Sequence, residues 1–113
     1  MLKIYHNPRC RKSREGLKFL QDRVGDIQII DYLKKGISIE EIKEIILKLH
    51  TSPENLVRKN EALFKNELKN LNLGDEEWIK IISENPVLLR RPIVLARYKG
   101  VIGDPAEEIE KIL

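Results

Sequence analysis

Residues 2–15 read LKIYHNPRCRKSRE, and the parsing of this stretch decides the fold. Leu2–Tyr5 mixes apolar and polar residues as a short strand does. Asn7-Pro8 then breaks it with turn chemistry. From Lys12 to about Val24, Leu17, Leu20 and Val24 recur at helical spacing with Phe19 beside them. Gly25-Asp26 closes that helix, and Ile27–Leu33 (IQIIDYL) reads as a second strand rich in β-branched residues. Strand, helix and strand in this order make a β-α-β unit, with parallel strands and a right-handed crossover.

Further along, Ser38 followed by Glu41 is a capping box, with Ile42, Ile45, Ile46 and Leu49 as the apolar face of the helix behind it. Ser52 as cap and Pro53 at the first helical position open another short helix. Gly74 and Asp75 start one carrying Trp78, Ile81 and Ile82. PIVLAR and GVIG read as two strands joined by a turn around Tyr98–Gly100, so the chain closes on an antiparallel hairpin. Asp104, Pro105 and Glu107 then form the cap of a C-terminal helix with Ile109, Ile112 and Leu113 on its face. The order β-α-β, helices, β-β-α predicts an α/β domain with a small mixed β-sheet and an inserted helical segment. No repeat, linker or low-complexity segment interrupts it.

Composition narrows the function classes. A chain of 113 residues suits one domain. Its net charge of +3 arises from 21 basic and 18 acidic residues that are interspersed, so anionic partners are favoured only weakly. No basic block interleaves with the few aromatic residues, and direct nucleic-acid binding has no support. No apolar run approaches the roughly 18–20 residues that cross a bilayer, and the first ten residues lack the apolar core of a signal peptide. A cytoplasmic location is expected. The single cysteine fits a reducing compartment, and two histidines and one cysteine, widely separated, make no metal-ligand set.

That cysteine, Cys10, stands at the predicted N-terminal tip of the first helix. Free backbone N–H groups and the helix dipole favour negative charge there, so a thiol at this place becomes a thiolate near neutral pH. Arg11, Lys12 and Arg14 add positive charge within one turn, and His6 lies just upstream. Ser13 occupies the place where a CxxC motif carries its second cysteine; it can donate a hydrogen bond but cannot resolve a disulfide. A free cysteine elsewhere is commonly a small buried hydrophobe. The turn, the helix start and the cationic neighbours together favour a nucleophile, with His6, Ser13 and Arg14 as its support. A chain with one thiol must borrow reducing equivalents from another molecule.

The stretch IYHNPRCRKSRE resembles the active-site opening of the glutaredoxin-dependent arsenate reductase family, which has a thioredoxin-like fold. LVRKNEALFK from Leu56 and ENPVLLRRPIVL from Glu84 match in order and spacing. The resemblance spans Leu2 to Leu113, so residues 1–113 are expected to form a single thioredoxin-like domain of that family. It implies that Cys10 attacks arsenate, that glutathione adds to the resulting adduct, and that glutaredoxin releases arsenite. Glutathione is then a co-substrate, with no bound cofactor and no metal. The family's oxyanion-binding arginines map onto Arg58 and Arg91, a residue type whose planar donor fork holds an oxyanion bidentately. Arg90 is the runner-up for the second position. In thioredoxin-like folds the proline facing the cysteine is cis, which implies a cis Arg91–Pro92 bond. The expected partners are arsenate or a similar oxyanion, glutathione and glutaredoxin, with no membrane and no nucleic acid contacted directly; the chain is expected to be a monomer.

The family usually carries a third arginine before the last helix, where this chain has Asp104. A carboxylate about 6 Å from a bound oxyanion would cost on the order of 3 kcal/mol at an effective dielectric of 20, about a hundredfold in affinity. Two other readings therefore stand beside the arsenate reductase. One is a thiol reductase of this fold with a non-arsenate substrate. The other is a relative of the Spx-type regulators that bind RNA polymerase, whose LLRRPI-like segment this chain shares but whose CxxC switch it lacks.

Overall fold

A computed structural model describes all residues from Met1 to Leu113. Four strands form one sheet in the order β2-β1-β3-β4: β1 (Leu2–His6), β2 (Ile27–Asp31), β3 (Ile93–Leu95) and β4 (Gly100–Ile102). β1 and β2 run parallel, with Leu2 opposite Ile27 and His6 opposite Asp31, and helix α1 (Arg11–Gln21) crosses between them. β3 lies antiparallel to both β1 and β4, with Ile4 opposite Val94 and Val94 opposite Val101. The mixed sheet and its covering helices are those expected of the sequence.

Strand alternation sorts the core onto two faces. Ile4 and Val94 point to one side, where they meet Leu20 of α1 and Ile109 in a cluster of four fully buried residues. Tyr5, Ile93 and Leu95 point to the other, into a larger cluster with Ile42 and Ile45 of α3 (Ile39–Leu49) and Trp78, Ile79 and Ile82 of α4 (Asp75–Glu84). Ser38 and Glu41 close the expected capping box of α3. At α4 the Glu77 carboxylate accepts the N–H of Gly74 at 3.0 Å.

Several boundaries differ from the sequence reading, each for a local reason. β2 stops at Asp31 instead of Leu33, because the Asp31 carboxylate accepts the N–H of Lys34 and starts a single helical turn, α2 (Tyr32–Lys35). α1 ends at Gln21 rather than Val24, with the chain turning through Asp22 and Arg23. The short helix expected after Ser52 does start there, with Pro53 at its first position, but it is only one turn long. Pro53–Leu56 makes one 3-10 turn with no capping bond from Ser52, and a short π-helical segment follows at Phe64–Leu68. The chain is drawn out of helix by pairing: Arg58 N–H donates to Leu88 C=O and Arg90 N–H to Leu56 C=O, both at 2.7 Å, around a Val57–Leu89 bridge. The C-terminal segment Ala106–Ile112 is 3-10 helical, and Pro105, not Asp104, occupies its cap position. Its Ile109 is fully buried, as the apolar face of that segment requires. Both Arg91–Pro92 and Asp104–Pro105 are cis.

Candidate active site

Cys10 takes the N-cap position of α1 with extended backbone (φ −96°, ψ 124°). Four hydrogen bonds shape the loop before it. The Asn7 carbonyl accepts the N–H of Cys10 and the Asn7 side chain that of Arg9, both at 3.0 Å. Ser13 Oγ accepts the N–H of Asn7 at 2.9 Å, and Arg14 Nη1 donates to the Pro8 carbonyl at 3.0 Å. Ser13 is fully buried, and its hydroxyl is also hydrogen-bonded to Nδ1 of buried His6 at 2.8 Å. The side chains of His6, Ser13 and Arg14, expected as support for the sulfur, hold the loop that carries it. What reaches Cys10 from Ser13 is its backbone N–H.

Burial pushes the Cys10 thiol up. The backbone N–H of Ser13, the Arg91 guanidinium by charge and by hydrogen bond, and the backbone N–H of Lys12 together outweigh it, so the thiol is held below its ordinary value. Arg91 makes the only direct side-chain bond to the sulfur: its Nε–H donates to Cys10 Sγ at 3.1 Å. This contact joins residues from opposite ends of the chain, and it exists because β3 lies beside β1. Close packing fixes the spacing. A Cβ on Gly16 of α1 would come within 2.6 Å of Pro92 Cγ, so only glycine lets the Cys10 helix settle against the Arg91–Pro92 segment.

Beside Cys10 opens a cleft of about 510 Å³ whose walls carry Lys12, Arg58, Lys59, Arg90 and Arg91, against the acidic Glu54 and Asp104. The Leu56–Arg58 and Leu88–Arg90 pairing described above brings Arg58 and the Arg90-Arg91 pair to this one surface. Arg58 donates from Nη1 to Val87 C=O at 3.3 Å and pairs through Nη2 with Glu61 at 3.3 Å, while its buried Nε–H has no acceptor in the protein. A buried guanidinium N–H without a partner costs about 1–3 kcal/mol, and an oxyanion is a chemically fitting partner for it. Arg90 turns to the Asn55 carbonyl at 3.3 Å. Asp104, expected to cap the last helix, instead pairs with Lys12 at 3.0 Å.

Two residues near the site are not evident from the sequence, Tyr32 beneath it and Lys12 on the cleft wall. Tyr32 is buried, and its hydroxyl is pushed up to about 12 by that burial, which outweighs the opposing charges of Arg91 and Arg58; Cys10 and Asp31 act in the same direction as burial. It therefore lies within electrostatic reach of the thiol and both arginines, a place that its position at the end of a predicted strand does not reveal. Lys12 is the other: its charge is plain in the sequence, its place on the cleft is not. No cluster of histidine, cysteine and carboxylate residues suited to a metal ion is present.

A model of the ArsC family matches residues 5–112. The chain is 40% identical to the arsenate reductase of Neisseria meningitidis serogroup A over 99% of this chain and 97% of that protein. It is 42% identical to the arsenate reductase of Haemophilus influenzae, over 97% of each. The solved structure of an arsenate reductase from Vibrio cholerae superposes with a TM-score of 0.93 at 35% identity, covering 99% of this chain and 97% of that one.

Proposed function

The chain belongs to the ArsC family of arsenate reductases and has its thioredoxin-like fold, and from that premise we propose that it reduces arsenate to arsenite through a covalent adduct on Cys10, with glutathione and glutaredoxin supplying the electrons. The Arg91 Nε–H bond to Cys10 Sγ at 3.1 Å carries this reading, because it joins a lowered thiol to an arginine on the cationic cleft. Cys10 is the catalytic residue; Arg58 and Arg91 hold the oxyanion. The thiolate sulfur forms a bond to As(V) while one arsenate oxygen departs as water after protonation. A glutathione thiol replaces a second oxygen in the same way. A glutaredoxin thiolate then takes the glutathione sulfur as a mixed disulfide, leaving two electrons on arsenic. Water displaces the resulting As(III) as arsenite, and Cys10 returns as a thiol. One thiol in the whole chain accords with this external supply, and a reducing cytoplasm suits it.

Asp104 on the cleft wall favours a second reading, in which the same chemistry serves another oxyanion. Arsenate-dependent turnover with glutathione and glutaredoxin, compared between wild type and Cys10→Ser, tests the proposal. Turnover in wild type alone is the expected result. Equal turnover in both proteins would overturn the covalent mechanism, and none in either would direct the search to other oxyanions.

A further inference from the structure

Lys12 faces the site with both its main chain and its side chain. Its backbone N–H acts on Cys10, and its ammonium group lines the cleft with Arg58 and Arg91. Its Nζ lies 3.0 Å from Asp104 Oδ2. Asp104 lines the same cleft, and its carboxylate has no helix-capping bond to hold it elsewhere. The two side chains are 56% and 32% exposed, and an ion pair this open to solvent is weak and exchangeable.

Resting on the reading of Cys10, Arg58 and Arg91 as an oxyanion site, we infer that Lys12 is a third cation of that site and Asp104 its built-in counter-ion. A tetrahedral oxyanion in the cleft competes with the Asp104 carboxylate for the Lys12 ammonium. Binding therefore breaks one ion pair to form another, and the affinity reflects the difference. Asp104 sets the concentration at which the cleft fills, and Lys12 provides the positive charge that a ligand recruits. The two act as one unit: removing the carboxylate frees the lysine, and the freed lysine strengthens binding.

The test uses the alkylation of Cys10 by iodoacetamide as sodium arsenate or sodium sulfate is added at constant ionic strength. Half-protection concentrations, each normalised to the anion-free rate of the same protein, are compared for wild type, Asp104→Asn, Lys12→Met and the double variant. Asp104→Asn is expected to be protected at about tenfold lower anion concentration, less than the roughly hundredfold of an unpaired carboxylate because Asp104 is partly solvated and already paired with Lys12. Lys12→Met should need several-fold more anion than wild type, and the double variant should lose the gain made by Asp104→Asn. An equal gain from Asp104→Asn with and without Lys12 would overturn the inference, since only repulsion by Asp104 would then be acting. So would unchanged protection in Lys12→Met. Protection absent from all four proteins would instead remove the oxyanion site itself, and the inference with it.

Discussion

Replacing Arg91 with alanine removes the Nε–H that reaches Cys10 Sγ and leaves burial opposed only by the backbone N–H groups of Ser13 and Lys12. The thiol of Arg91→Ala should then titrate at higher pH than in wild type. Its alkylation rate at neutral pH should fall several-fold, read from the pH profile of iodoacetamide labelling. Cys10→Ser should lower turnover by about a thousandfold or more yet keep the wild-type unfolding temperature, because this partly exposed residue fills no part of the core. His6 gives a separate signature. Burial holds its imidazole below the ordinary value of 6.5 despite the opposing influence of Asp31 and Ser13. An imidazole kept neutral in the folded state stabilises the protein above its unfolded value, and that contribution is lost as the pH falls through the folded one. Thermal unfolding between pH 7 and pH 5 should show this loss in wild type and a flatter profile in His6→Gln.

At the level of elements, Gly16 and His50 give opposite expectations. In Gly16→Ala the new methyl meets the Pro92 ring at 2.6 Å, and overpacking of this kind costs about 1–3 kcal/mol. That exceeds the roughly 1 kcal/mol that alanine contributes within a helix, so urea unfolding should show a net loss. His50, exposed at the end of α3 with φ 52°, occupies a left-handed position that favours glycine. His50→Gly should raise stability by about 0.5–1 kcal/mol in the same assay. The elements that the sequence reveals are those whose signals are local. Asn7-Pro8 marks the end of a strand, Leu17 and Leu20 mark a helix face, and Ser38 with Glu41 closes a capping box within four residues. Arg58 is visible only by resemblance, because its place depends on Leu56 and Leu88–Arg90 pairing across a long stretch of chain. Asp104 is misread for a related reason: Asp-Pro-x-Glu has the local form of a helix cap, while the cation that claims its carboxylate is near the other end of the sequence.

Across the whole molecule, the sheet is held by cores of unequal size, and the smaller one carries the helix that Cys10 caps. Ile109 is fully buried among Ile4, Leu20 and Val94, so Ile109→Ala should cost about 2–5 kcal/mol in urea unfolding. The ion pairs Lys12–Asp104 and Arg23–Glu110 link α1 and the turn after it to residues near the C-terminus, but both are open to solvent and add little to that packing. The pairing of Ile4 with Val94 and of Tyr5 with Ile93 has a further consequence. During synthesis the ribosome delivers β1, Cys10 and α1 early, but Arg91 and β3 emerge only with the last quarter of the 113 residues. Until then the sulfur lacks its guanidinium partner, and the unfinished polypeptide carries an ordinary, slower-reacting thiol. The lowered thiol is thus a property of the assembled sheet, and a nascent chain that lacks β3 does not have the contact that produces it.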